Sequence, residues 1–296
     1  MKNFRLKNFT LLIVCSIIYF PSLLIGGKIN FYPYSYEQRL FAKESNEDFI
    51  EKLVEELKRG NYEEVIKFAT KAIEINQNNE EAYFYRGLVF SSKKNFLDAT
   101  EDYSKAIELN PKAVYFLVRG ESFFKSNNKL KALSDFQKVI EIGSTDRDLS
   151  MALTYIGTIK SEFGDHENAI ISFSKAIELN PKDFEAYNNR AKAKSMINDY
   201  YGAIDDFKMM MEINENSFYP YYSLGIVYGQ YLKKYSKAIF YTKEALKIKP
   251  NSRDALHNLG YLQQVKGNIS AACENYKKAY SLGKSKSFAF MNQLGC

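Results

Sequence analysis

The side chains best suited to chemistry are few: two histidines, three cysteines and several adjacent carboxylates in a chain of 296 residues. Histidine could act as a general base near neutral pH, and with cysteine or serine it could form a nucleophilic pair or bind a metal. The spacing argues against each use. His166 and His257 fall in different segments, no Cys-x-x-Cys occurs, and no Cys-His or Ser-His signature is present. No Gly-rich phosphate loop or Walker pattern exists, because the only adjacent glycines, Gly26 and Gly27, end an apolar N-terminal run. The paired acids Glu55-Glu56, Glu63-Glu64 and Asp205-Asp206 lie in amphipathic helical patterns and read as solvated faces. We therefore expect no catalytic site, no metal, no cofactor and no small-molecule substrate.

Composition narrows the class further. The chain is 46% hydrophobic, 26% charged and 15% aromatic, a composition that can bury a core and excludes disorder as the default. Only 15 Gly and 6 Pro leave too few breakers for many short strands, so an all-β fold is excluded. Net charge is +6, and half of that excess comes from Lys2, Arg5 and Lys7 at the N-terminus. The remaining 38 basic and 35 acidic residues are too balanced for a nucleic-acid binder.

What must position any functional side chain is a repeat. The phrase KAIELNPK occurs at Lys105–Lys112 and again at Lys175–Lys182, with KAIEIN at Lys71–Asn76 and EALKIKP at Glu244–Pro250. Aligning on its alanine gives Ala72, Ala106, Val139, Ala176, Met210, Ala245 and Ala279, spaced by 33 to 37 residues. A second set of small positions runs Val65, Ala99, Ala132, Ala169, Ala203, Ala238 and Ala272, and a third Leu53, Gly87, Gly120, Gly157, Ala191, Gly225 and Gly260. Small residues facing each other let two antiparallel helices approach closely. Tyr103, Phe136, Phe173, Phe207 and Tyr276, three residues before the last small position, share its face and fill the gaps between layers. Turn residues such as Gly60-Asn61, Asn127-Asn128 and Gly267-Asn268 separate the helices, and Pro111, Pro181 and Pro250 end the second ones. Each pair is too small to bury its own face, so stability must come from stacking.

These positions resemble the tetratricopeptide repeat. The unit starting at Glu80, with Tyr83, Gly87, Ala99, Tyr103, Ala106 and Pro111, carries the family's pattern at six places. The resemblance implies an all-α, right-handed superhelical α-solenoid over residues 46–286. Its seven units start near 46, 80, 113, 150, 184, 218 and 253, and a C-terminal cap follows over 287–296. Departures are Leu53, Val65 and Ala69 in the first unit, Met210 in the fifth, three extra residues over Gly143–Leu149, and one near Gly229–Leu232. The insertions are expected to bend or loosen the array. Ser45 followed by Asp48 is a helix N-cap signature.

Residues 1–8 are basic and Phe9–Ile25 form a 17-residue uncharged, mostly apolar stretch. Residues 1–27 therefore read as a signal peptide or, uncleaved, as a signal anchor, with 28–45 as a linker. Both readings keep the basic end cytoplasmic and place the repeats outside the cytoplasm: periplasmic, lumenal, secreted, or membrane-anchored and facing outward.

The family binds partners on the concave surface of its first helices. Carried over position by position, that surface comprises Phe84, Leu88, Leu117, Glu121, Phe124, Thr154, Thr158, Asn188, Lys192, Tyr222, Ile226, His257 and Tyr261, apolar at two places and polar between them. This suits a peptide or helical segment of another protein. One subgroup grips chaperone C-terminal carboxylates with a Lys/Asn/Asn/Lys/Arg set. The matching places here are Ile50, Val54, Tyr85, Val114 and Val118, which speaks against that function. Residues 231–296 hold 12 basic and 3 acidic side chains, with Lys233, Lys234, Lys237, Lys243, Lys247, Lys277 and Lys278 forming a basic surface. That surface is either a solubilising face or a contact for an acidic protein or a membrane surface. Cys273 and Cys296 are expected to pair as a disulfide that staples the cap. The function expected is a non-enzymatic interaction scaffold or assembly factor. The alternatives are a membrane-surface assembly factor or, less favoured, an enzyme subunit.

Overall fold

The computed structural model describes residues 45–296, in which helices follow one another without a strand. In chain order they are α1 (Asn46–Arg59), α2 (Tyr62–Ile75), α3 (Glu80–Ser92), α4 (Phe96–Leu109), α5 (Ala113–Lys125), α6 (Lys129–Ile142), α7 (Asp146–Glu162) and α8 (His166–Leu179). They continue as α9 (Phe184–Met196), α10 (Tyr200–Ile213), α11 (Phe218–Ile226), α12 (Tyr235–Ile248), α13 (Arg253–Val265), α14 (Ile269–Ser281) and α15 (Lys286–Leu294). Odd-numbered α1 to α13 are first helices and α2 to α14 second helices of seven hairpins; α15 caps the last. The segments read as signal or anchor and as linker lie outside the described residues, except Ser45.

Local chemistry sets the boundaries. Ser45 Oγ accepts from the Asp48 backbone N–H while Asp48 Oδ2 accepts from that of Ser45, closing the expected capping box; these bonds lower the Asp48 pKa. Asn79, Thr145, Asp165, Asp183, Asp199 and Ser252 cap later helices through side-chain oxygens. Between the helices of every hairpin one residue takes a left-handed conformation: Gly60, Lys94, Asn127, Gly164, Asn198, Lys233 and Gly267, with φ from +54° to +85°.

Packing follows the small-residue pattern. Ala72, Ala106, Ala176, Ala245 and Ala279 are fully buried, as are Tyr103, Phe136, Phe173 and Tyr276. A Cβ added at Gly87 or Gly157 would lie 2.7 Å from the ring of Tyr103 or Phe173, so glycine is what lets the ring lie against the facing helix. The sixth unit departs from this. Gly225 faces Thr242 instead of a ring, and Asn258 Nδ2 donates to Thr242 Oγ1 at 3.2 Å.

The two insertions are absorbed into helix rather than loosening the chain. The residues after Gly143 begin α7 at Asp146, capped by Thr145, so this helix runs 17 residues where its counterparts run 9 to 14. Its unit therefore starts four residues before the expected position, because Thr145 supplies a cap that the pattern alone did not reveal. The extra residue of the sixth unit becomes a π-helical turn, Val227–Tyr231, closed by a 3.1 Å bond from Leu232 N to Val227 O.

A polar staple recurs between hairpins. The Arg86 guanidinium donates to both oxygens of Asp102 at 2.9 and 2.8 Å and to Thr70 Oγ1 of the preceding unit at 3.2 Å. Arg119 does the same with Asp135 and Ser104, and Arg190 with Asp206 and Ser174. This corrects the solvated reading of Asp205-Asp206. Asp205 is exposed beside Lys208, but Asp206 is buried because its position on α10 turns toward α9, where Arg190 and Lys194 meet it. At Asp102 burial raises the carboxyl pKa although Arg86 pulls it down, while the bond to Asp102 raises that of Arg86.

Candidate functional site

First helices of consecutive units touch one another from α1 through α9, a closeness that second helices do not share, so the first helices form the inner wall of the curve. The residues expected on that wall divide by exposure. Leu117 and Thr154 are interior, at 6% and 7% exposure, because the next first helix packs over them. Both are therefore corrected from partner-binding to core positions. Phe84 is held among Tyr85, Tyr103 and Tyr115, with ring centroids at 5.3, 6.3 and 4.9 Å. Glu121 accepts from the Tyr155 hydroxyl at 2.6 Å, and Phe124 stands edge-on to the Tyr155 ring at 5.3 Å. Burial and Glu121 together push the Tyr155 pKa far up.

The middle of the wall is amide and hydroxyl. Thr158 Oγ1 donates to Thr154 O and accepts from Asn189 Nδ2 at 3.3 Å. Asn188 Nδ2 reaches Asn189 Oδ1 at 3.4 Å. Lys192 stays exposed, and Leu88 and Ile226 are half-buried. Tyr222 stacks on Phe218 at 5.3 Å, and burial raises its pKa.

At the C-terminal end the wall opens into a cavity of about 420 Å³ between α11, the π-helical turn, α13 and α15. Tyr222, Gln230, Lys233, Asp254, His257, Asn258, Tyr261, Lys284, Lys286 and Phe290 line it. His257, expected to face a partner, is instead covered by the cap: its Nδ1 lies 2.9 Å from Ser287 Oγ and its ring is edge-on to Phe290 at 5.2 Å. Burial, with Lys284 nearby, lowers its pKa below 6.5, which favours neutral imidazole. Cys273 and Cys296 form a disulfide, with Cα atoms 5.6 Å apart, that ties the chain end to α14.

Of the basic surface, Lys233, Lys234 and Lys237 line one shallow pocket with Lys266, and the lysines differ in their other contacts. Lys233 also lines the terminal cavity, Lys234 donates to the Tyr201 hydroxyl at 3.0 Å, and Lys237 lies over the Tyr228 ring. Lys247 pairs with Glu244 at 2.7 Å, leaving Lys243, Lys277 and Lys278 on the outer helices. Among the described residues no cluster of His, Cys, Asp or Glu has the makings of a metal site, and no helix is long and apolar enough to cross a membrane. The sequence reading missed Gln230, which the π-helical turn places there, and Lys284, Lys286 and Phe290, which only the docking of α15 brings to the wall. It also missed the Arg–Asp staples. Their signal was available: an arginine with aspartate 16 residues later recurs at Arg86, Arg119 and Arg190.

Stacked helical hairpins with an inner wall of first helices define the class: an α-solenoid repeat protein. Models of the tetratricopeptide repeat match residues 80–112 and 219–252, a TPR repeat model matches 161–196, and a protein prenyltransferase alpha subunit repeat model matches 62–93. The chain thus carries tetratricopeptide repeats. A TPR repeat-containing protein of Methanocaldococcus jannaschii is 22% identical over 242 residues, 78% of this chain and 42% of that protein. The chain spans less than half the length of the curated relatives it matches. Among solved structures, the C-terminal part of a TPR repeat-containing protein from Cytophaga hutchinsonii superposes with a TM-score of 0.68 at 17% identity, over 81% of this chain and 98% of that one. The TPR protein YrrB superposes at 0.54 with 24% identity, over 64% and 96%.

Proposed function

We propose that this chain is a non-enzymatic scaffold that binds an extended or helical segment of another protein along its first helices, outside the cytoplasm. The observation that carries this reading is the inner wall itself. Leu88, Phe124, Tyr222 and Tyr261 are anchored on one side and open on the other, while Asn188 and Lys192 offer polar contacts between them. Anchored rings lose little entropy when a partner covers them, which makes them suited to binding. YrrB, described as a TPR protein with an unusual peptide-binding site, adds support by analogy. Export rests on the apolar N-terminal run alone.

The test is affinity capture from the native cell with a Val114→Glu/Tyr219→Glu variant. Both residues stand on first helices and are 36% and 65% exposed, so the added charge should leave the fold intact, which circular dichroism checks. Loss of a companion protein supports the reading, and an unchanged set of companions refutes it. A second reading, attachment to a membrane surface, is favoured by the exposed Tyr280 and Phe288 rings, 5.4 Å apart, on the same terminal helices as Lys277 and Lys278. Binding to anionic vesicles that survives the groove variant would favour it.

A further inference from the structure

The terminal cavity differs in charge from the rest of the inner wall. Three lysines and one carboxylate line it, and four of its polar groups, on Asp254, His257, Asn258 and Lys284, are engaged with neighbours. Asp254 accepts from Lys284 Nζ at 2.5 Å, a bond that lowers the Asp254 pKa. His257 is engaged with Ser287, and Asn258 with Thr242. Of its charged side chains, Lys233 and Lys286 remain. Neither has a carboxylate within ion-pair distance among the described residues, although charge pairs are common elsewhere on this surface. Tyr222, Tyr261 and Phe290 supply aromatic walls beside these two ammonium groups.

Two unpaired cations in a concave, ring-lined space favour an anion carried by an apolar neighbour. Bare phosphate or a headgroup would leave the rings unused. A peptide uses both features, and Tyr222 and Tyr261 belong to the first-helix wall along which a segment would lie. We propose that this cavity receives an acidic peptide segment of the partner, with an Asp or Glu carboxylate near Lys233 and Lys286 and an adjoining aromatic or aliphatic side chain against Tyr222, Tyr261 and Phe290. The proposal rests on the reading of the inner wall as a partner-binding surface and adds the chemistry of what binds. Lys286 and Phe290 lie on α15, so the site is complete only while the disulfide-tied cap is docked.

Selection from a phage-displayed random peptide library tests it, using the full chain, a Lys233→Glu/Lys286→Glu variant and the Val114→Glu/Tyr219→Glu variant. Circular dichroism and an intact Cys273–Cys296 bond first establish that each is folded. The expected result is enrichment of Asp and Glu next to aromatic or aliphatic residues with the natural chain, lost in the lysine variant. A selected peptide should then bind the lysine variant at least about tenfold more weakly, because two attractive charges become two repulsive ones. Peptides no more acidic than the input library, the same peptides from the lysine variant, or no selected peptide would each overturn the proposal. Failure of the wider reading looks different: the cellular companion survives Val114→Glu/Tyr219→Glu whether or not acidic peptides are selected.

Discussion

Replacing Asp135 with alanine isolates what the recurrent arginine staple contributes. Arg119 sits between α5 and α6 with its side chain 18% exposed, and Asp135 is 6% exposed. The substitution removes two hydrogen bonds of 2.8 Å and leaves a guanidinium bonded only to Ser104 Oγ at 2.9 Å, flanked by the Phe116 and Phe123 rings. Breaking a buried pair costs about 3–5 kcal/mol, because the surviving charge stays desolvated. The modest exposure of Arg119 lets it swing toward water, so the lower end, about 3 kcal/mol, is expected. Ser104→Ala breaks only the bond to the preceding unit and should cost about 1 kcal/mol. Arg119→Met/Asp135→Leu, which removes both charges and keeps apolar contact with the rings, should fall within about 1 kcal/mol of the natural protein. Urea unfolding followed by circular dichroism at 222 nm measures all three. The reasoning is refuted if Asp135→Ala costs less than about 1 kcal/mol, or if the double variant is as unstable as the single one.

Gly157→Ala places a methyl group 2.7 Å from the Phe173 ring and should destabilise by about 1–3 kcal/mol, with Phe173→Leu in the same chain recovering part of the loss in thermal melts. Cys273→Ser/Cys296→Ser opens a link spanning 23 residues, and loop entropy puts the loss at about 3 kcal/mol, confined to the last unit. Hydrogen exchange should then quicken in α14 and α15 and stay unchanged in α3 to α6. His257 has a folded pKa below its unfolded value, so the unfolded or undocked state binds more protons; cap docking is at full strength above about pH 6.5 and weakens as pH falls below it. Asp254, also lowered, adds its own loss only near and below 3.8. Exchange of α15 amides at pH 7.5 and 5.5 should show this slope, and His257→Asn should flatten it; an unchanged slope would mean that another group titrates.

The sequence by itself determined the repeat, its phase and its small-to-large packing, because these rest on local rules. Gly or Ala at Gly87, Gly120 and Gly157 and rings at Tyr103, Phe136 and Phe173 recur with the helix period, and caps and turns mark each hairpin. Exposure along the inner wall was decided by tertiary structure. The registry that makes Phe124 accessible places Leu117 and Thr154 under the next first helix, and no single unit's pattern contains that neighbour. The insertions show the same division. Their lengths are visible in the spacing, but whether three residues loosen a junction or extend α7 depends on Thr145 as a cap. The extra residue near Gly229 becomes a π-helical turn because α11 and α12 flank it. The terminal cavity is the strongest case. Lys233, Asp254, Lys284 and Lys286 are dispersed in the chain, and Lys284 and Lys286 join the other two around one space because α15 folds back over α13, held by a link between Cys273 and Cys296. Periodicity reports what each residue does within its own hairpin, whereas long-range docking decides which charges remain unpaired around a shared space.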